Sequence, residues 1–183
     1  MNILGIGFAL AAGVFFGIIG PVTKTAYNLG AGVGLAIFLR YIVALLIVAP
    51  LIPYQKNLIT TYRENFTNFL LITIASIMLT TGLLISVTYI NVSLTIIIFC
   101  TYPIIVLSIS IFITKEKIKN LIKFLFITTF FGLFLALSPS SESLKVQGIV
   151  FALIASLGAS IMIVTNQTMS KKNISPIQIN IFI

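Results

Sequence analysis

The sequence predicts an all-α integral membrane protein of about six spans, a span taking ~20 apolar residues, and three observations carry that reading. First, 59% of the 183 residues are hydrophobic and 8% are charged, with a mean hydropathy of +1.19. A soluble domain is nearer a quarter charged, and a chain this apolar has too little polar surface to cover itself in water. Second, the apolar residues form long runs divided by short polar or proline-containing breaks. Third, the basic residues sort by loop, as they do in polytopic proteins.

Span 1 is placed at 3–22, ending near Gly20-Pro21, and span 2 at 33–52, ending at Pro53. Span 3 occupies 69–88 and span 4 occupies 93–113. Only Tyr89-Ile90-Asn91-Val92 separates them, which reads as a tight turn. One uninterrupted helix there would far exceed a hydrocarbon thickness of ~30 Å. Span 5 is placed at 121–137, stopped by Ser138-Pro139, and span 6 at 148–164. After Lys171-Lys172 and Pro176 a further apolar run, 177–183, begins another span.

With the N-terminus cytoplasmic, the inner loops hold Lys56, Arg63, Lys115, Lys117, Lys119, Lys123, Lys171 and Lys172. The outer loops hold only Lys24 and Lys145. This positive-inside pattern accounts for the net charge of +8 and gives no reason to expect nucleic acid as a partner. The first span lacks a basic flank and is followed by equally apolar segments, so no cleaved signal peptide is expected.

The chemistry-bearing residues are few. Cys100 is the single cysteine and lies in an apolar run; there is no histidine and no aspartate. Glu64, Glu116 and Glu142 are the only acids, each in or beside a loop, Glu116 reading as a solvated pair or cap among its lysines. That leaves no disulfide framework, no His/Cys metal site, no acid–base pair and no cofactor motif, so an enzyme is not expected.

An internal repeat organises the chain. Gly5-Ile6-Gly7-Phe8-Ala9-Leu10-Ala11-Ala12 matches Gly148-Ile149-Val150-Phe151-Ala152-Leu153-Ile154-Ala155 at six of eight positions. On that register Ile18 falls on Ile161 and Thr25 on Thr168. The copies open spans 1 and 6, so a unit has five spans. An odd unit starts its second copy from the opposite membrane face, which is the inverted-repeat plan of many secondary transporters.

Three short stretches resemble the EamA-type members of the drug/metabolite transporter superfamily. They are Gly13-Val14-Phe15-Phe16-Gly17-Ile18-Ile19-Gly20-Pro21, Phe38-Leu39-Arg40-Tyr41, and Thr101-Tyr102-Pro103-Ile104 followed by Lys115-Glu116-Lys117-Ile118. The resemblance implies ten helices in two inverted units. Residues 1–138 then form the first five-helix unit, 139–147 an external linker, and 148–183 the opening of an incomplete second unit. The small four-helix relatives use a glutamate within their first span; no carboxylate lies within any span here, so that proton-exchange device does not carry over.

Arg40 lies within span 2, where a charge is costly and marks a function or a fixed partner. It either snorkels and ties helix ends or attracts an anionic or zwitterionic solute. Pro103 removes one intrahelical hydrogen bond and is expected to kink span 4, as a packing feature or as a hinge beside a solute path. Gly13, Gly17, Gly20 and Pro21 are expected to allow close helix approach and sliding of helix 1. Thr81, Thr101, Tyr102 and Asn166 are the polar candidates for a solute lining, although hydroxyls in helices usually bond their own backbone.

The expected function is a secondary carrier for a small metabolite, an amino acid or related compound, working by alternating access between inverted repeats. Export is the direction the resemblance implies. The alternative is a truncated, non-transporting fragment or a membrane component that needs a partner half. Expected partners are membrane lipid, the small-molecule solute, and a homodimer mate or complementary half. The expected location is a bacterial cytoplasmic membrane, multi-pass.

Overall fold

The computed structural model describes residues 3–54, 58–114, 145–172 and 174–181, together with Phe124, Ile127, Thr128, Phe131, Gly132 and Leu135. Among them there is no strand. Gly5–Asn28, Phe66–Tyr89, Val92–Ile111 and Val146–Lys171 are long and apolar enough to cross a membrane, and Val33–Val48 is a shorter apolar helix. This is the all-α membrane architecture that composition predicts.

Helix α1 spans Ile3–Asn28 and contains Pro21, so the expected stop at Gly20-Pro21 is not made. A proline within a membrane helix frees the carbonyl four residues earlier, here Gly17 O, and such breaks are tolerated in membrane helices; one turn on, Thr25 Oγ1 bonds back to the Pro21 carbonyl at 3.0 Å. The helix ends instead at Gly30, whose φ of 91° is a conformation glycine adopts without strain. Ala31 N–H bonds Ala26 O and Gly30 N–H bonds Tyr27 O, each at 3.0 Å, which is the Schellman closure of a helix C-terminus.

Helix α2 spans Val33–Val48 and gives way to a 3₁₀ turn, Ala49–Tyr54. The α-helix therefore stops before Pro50 rather than at Pro53, because Pro50 has no N–H for the Leu46 carbonyl and disfavours helical geometry at the residue before it. A short helix α3, Leu58–Glu64, precedes α4, Phe66–Tyr89. The tight turn after α4 is present: Ile90 and Asn91 are extended, and α5 starts at Val92. The expected single kinked span 4 is two helices, α5 Val92–Phe99 and α6 Tyr102–Thr114, separated at Cys100-Thr101.

The expected span 5 (121–137) and linker (139–147) lie largely outside the described residues; Phe124, Ile127, Thr128, Phe131, Gly132 and Leu135 are helical. Lys115, Glu116, Lys117, Lys119 and Lys123 lie outside them too. Helix α7 spans Val146–Lys171, one turn or more beyond the expected end of span 6. Its polar last turns stay helical because Met169 is fully buried in a cluster with Phe69 and Ile72. Helix α8, Pro176–Asn180, opens with a reciprocal capping box: Gln178 N–H bonds Ser175 Oγ at 3.2 Å and Ser175 N–H bonds Gln178 Oε1 at 3.3 Å.

The core is the antiparallel crossing of α4 and α7. Ile72, Ala75, Ala152 and Ala155 are wholly buried there, with Ser86, Ser156 and Ser160. The helices meet backbone to backbone. A Cβ on Gly82 would lie 2.7 Å from Phe151 O and 2.8 Å from Ala155 N. A Cβ on Gly158 would lie 2.7 Å from Ala75 O and Leu79 N. Small residues at such positions permit the close approach on which helix association in lipid depends.

The repeat occupies two different environments. Gly148, Ala152, Ala155, Ser156 and Ser160 of α7 are buried. Their counterparts in the repeat register are Gly5, Ala9, Ala12, Gly13 and Gly17, all small. Gly5, Ala12, Gly13 and Gly17 are exposed.

Helix ends sort by face. Gly148 touches Tyr89 and Ile90, and Lys24 Nζ donates to Val87 O at 3.0 Å, so Lys24 and Lys145 share the α4–α5 turn's face. At the opposite face Lys172 Nζ donates to Asn65 Oδ1 at 2.8 Å, near Arg63 and Lys171. Among the described residues, Arg63, Lys171 and Lys172 thus lie on the face opposite Lys24 and Lys145.

Gly82→Val and Gly158→Val each force bulk between two backbones. Each is expected to destabilise the fold by about 1–3 kcal/mol or more, read as an earlier midpoint in reversible unfolding in mixed micelles. Gly17→Val, which meets no neighbour within 4 Å, is expected to leave that midpoint nearly unmoved.

Candidate functional site

A cavity of about 330 Å³ lies between α1, α2, α4, α5 and the start of α6, within the range of small-molecule sites. Its wall is mostly apolar: Phe16, Ile19, Leu83, Val87, Ile96 and Phe99 contribute. Polar character comes from Thr23, Arg40, Thr95 and Tyr102. A shallower pocket adjoins it and shares Ile19, Thr23, Arg40 and Leu84.

Each wall has a local cause. Helix α1 turns its glycine edge, Gly13, Gly17 and Gly20, to the cavity. Among the described residues a Cβ on Gly13 or Gly17 would meet nothing within 4 Å, so these two glycines make no close helix contact there. Gly20 does make one, a Cβ there falling 2.7 Å from Val92 Cγ1. Beyond Gly20 the helix is fastened to α4, where Lys24 Nζ holds Val87 O and the Tyr27 hydroxyl donates to Leu84 O at 3.3 Å. Val87 O lies in the last turn of α4, where orphan acceptors and the negative end of the helix dipole favour the Lys24 cation.

Arg40 sits seven residues into α2, about 10 Å from that helix's start at 1.5 Å per residue. Among the described residues it makes no hydrogen bond or ion pair. A guanidinium presents five donors and does not lose its charge, so an apolar wall with this one cation favours an anionic group nearby.

Of the other expected lining residues, Tyr102 is in the wall and Thr81, Thr101 and Asn166 are not. Thr81 Oγ1 bonds back to Ile77 O at 2.6 Å, the usual fate of a helical hydroxyl. Thr101 Oγ1 bonds Ile98 O at 2.8 Å and pairs with Ser156 Oγ at 2.9 Å, tying the α5–α6 break to α7. Asn166 is half-buried on α7.

Several polar residues outside the expected lining set matter here. Ser86 Oγ donates to Gly148 O at 2.8 Å and pairs with Thr95 Oγ1 at 3.0 Å, and Ser160 Oγ lies 3.0 Å from Tyr102 O and 2.7 Å from Ser156 O. For Ser156 and Ser160 the one signal is the four-residue spacing Gly148, Ala152, Ser156, Ser160, one face of a helix.

The EamA-like transporter family model matches residues 3–138. The chain belongs to the EamA-like transporter family. Its members are membrane transporters, and every residue lining the cavity lies within the matched stretch. As an EamA-like transporter this chain adds α7 beyond that stretch, as the helix that buries the inner face of α4. No curated protein and no solved structure matches the chain.

The Ser86–Thr95 pair is buried, so its removal is measurable. Ser86→Ala, Thr95→Val and the double variant are expected to give a coupling energy of about 0.6 kcal/mol, the average for hydrogen bonds between membrane helices. Unfolding in mixed micelles reads it.

Proposed function

We propose that this EamA-like transporter is a secondary carrier whose solute occupies the α1–α2–α4–α5 cavity. The solute is a small metabolite, an amino acid or related compound, and the carrier moves it by alternating access, outward from the cell. The observation that carries the reading is Arg40, without a partner among the described residues, on the wall of a mostly apolar cavity of about 330 Å³. An intramembrane cation is costly, and a carboxylate-bearing solute offsets that cost when bound.

The sorted loop charges support an N-terminus on the cytoplasmic side of a bacterial inner membrane. The exposed small-residue face of α1 supports a second reading, in which transport needs a complementary half. In α7 the equivalent positions are packed against α4; in α1 they have no such cover among the described residues.

Counterflow in liposomes tests both. The purified chain is loaded with a pool of unlabelled amino acids and related metabolites, and uptake of labelled ones is followed. Saturable counterflow, reduced at least about tenfold by Arg40→Ala, the cost of losing one hydrogen-bonded charge, is expected. Absence of flux from a correctly inserted, monodisperse protein would reject autonomous transport and leave the second reading.

A further inference from the structure

The break between α5 and α6 lies within a membrane span and on the wall of the cavity, through Phe99, Cys100 and Tyr102. Irregular backbone at membrane depth is tolerated where it is buried in protein or lines a cavity, and here it does both. On the α7 side the break is well satisfied. Thr101 Oγ1 pairs with Ser156 Oγ at 2.9 Å, and Ser160 Oγ lies 3.0 Å from Tyr102 O.

The carbonyls just before the break are a different matter. In a continuous helix Phe99 O would accept from residue 103, which is proline and has no N–H. Cys100 O would accept from Ile104 N–H, which instead bonds Thr101 O at 3.0 Å. Phe99 and Cys100 close the C-terminal end of α5, where the helix dipole is negative. The ends of interrupted membrane helices and their unwound carbonyls are suited to cations. Neither aspartate nor glutamate occurs in any described span, and the carbonyls of Val87 and Leu84 on the cavity wall already accept from Lys24 and Tyr27, so the break supplies carbonyls without such partners.

We propose that the carbonyls at the α5–α6 break form an ammonium-holding pole opposite Arg40, so that the cavity selects zwitterions with an apolar body. The inference rests on the reading of the cavity as a solute site. Arg40 takes the carboxylate. The Phe99–Cys100 carbonyls take the ammonium. The apolar body lies along Phe16, Leu83 and Ile96, with room beside Gly13 and Gly17. Pro103 is then a positioning residue: it touches no solute and acts by withholding an N–H from Phe99 O.

Three probes of one body size separate the poles: phenylalanine, 3-phenylpropionate and phenethylamine, each bound to the chain in phosphatidylcholine nanodiscs. Wild type is expected to bind phenylalanine most tightly. Pro103→Gly, which returns an N–H without imposing a straight helix, is expected to weaken phenylalanine and phenethylamine by roughly tenfold and 3-phenylpropionate by less than about twofold. Pro103→Ala should do the same, and thermal midpoints confirm that both variants fold. Arg40→Gln should weaken phenylalanine and 3-phenylpropionate and spare phenethylamine.

Equal weakening of all three probes by the Pro103 variants, or none, overturns the assignment. So does dependence of phenylalanine binding on sodium against choline, since the pole would then hold the ion. Loss of 3-phenylpropionate binding in discs containing phosphatidylglycerol would give Arg40 to a lipid headgroup and overturn the assignment equally. If wild type shows counterflow of other metabolites while these selectivities are absent, only this inference fails; if it moves and binds nothing, the carrier reading fails first.

Discussion

Contact between two backbones holds this molecule together. Lipid gives no hydrophobic reward for bringing apolar helices side by side, so their association depends on close packing and on hydrogen bonds between them. Gly82 and Gly158 supply facing recesses in the middle of the α4–α7 crossing. The closeness lets short hydroxyls reach across: a serine at position 86 can find a carbonyl on α7 only because the helices nearly touch. Burial of Phe69 and Met169 at one end of the crossing follows from the same alignment.

That crossing also makes the interrupted span tolerable. A helix broken at Cys100-Thr101 leaves polar backbone groups that hydrocarbon would penalise by several kcal/mol each. Helix α7 presents Ser156 and Ser160 to that point, a consequence of its register on α4. The repeat copy in α7 therefore backs the elements that form the cavity wall, although it lies beyond the family-matched stretch.

Much of the architecture is legible in the sequence because it depends on local chemistry. Apolar run lengths locate the spans, and Tyr89-Ile90-Asn91-Val92 marks a turn that is present. Helix ends are less legible, because two prolines look alike in sequence and act differently in place: Pro21 is accommodated within α1, whereas Pro50 ends α2. The extension of α7 past Asn166 depends on Met169 meeting a residue about a hundred positions away, which no local pattern records. At the cavity, Arg40 and Tyr102 are visible as the odd residues in apolar runs. Thr81 and Thr101 look equivalent to them, but their hydroxyls turn to backbone or to α7, a choice fixed only by tertiary neighbours.

The attachment of α1 is one-sided. Among the described residues its ties, Phe16 against Phe99, Gly20 against Val92, Lys24 to Val87 and Tyr27 to Leu84, all fall in the C-terminal half of the helix. The described side chains before Ile19 are exposed. Mechanically this is a lever with its fulcrum near Gly20. The free arm back to Ile3 is about 25 Å long at 1.5 Å per residue, so a rotation of about 10° at the fulcrum sweeps its tip through about 4 Å. The glycine edge that lines the cavity lies close to the pivot, so small changes in cavity width become large excursions at the opposite membrane face.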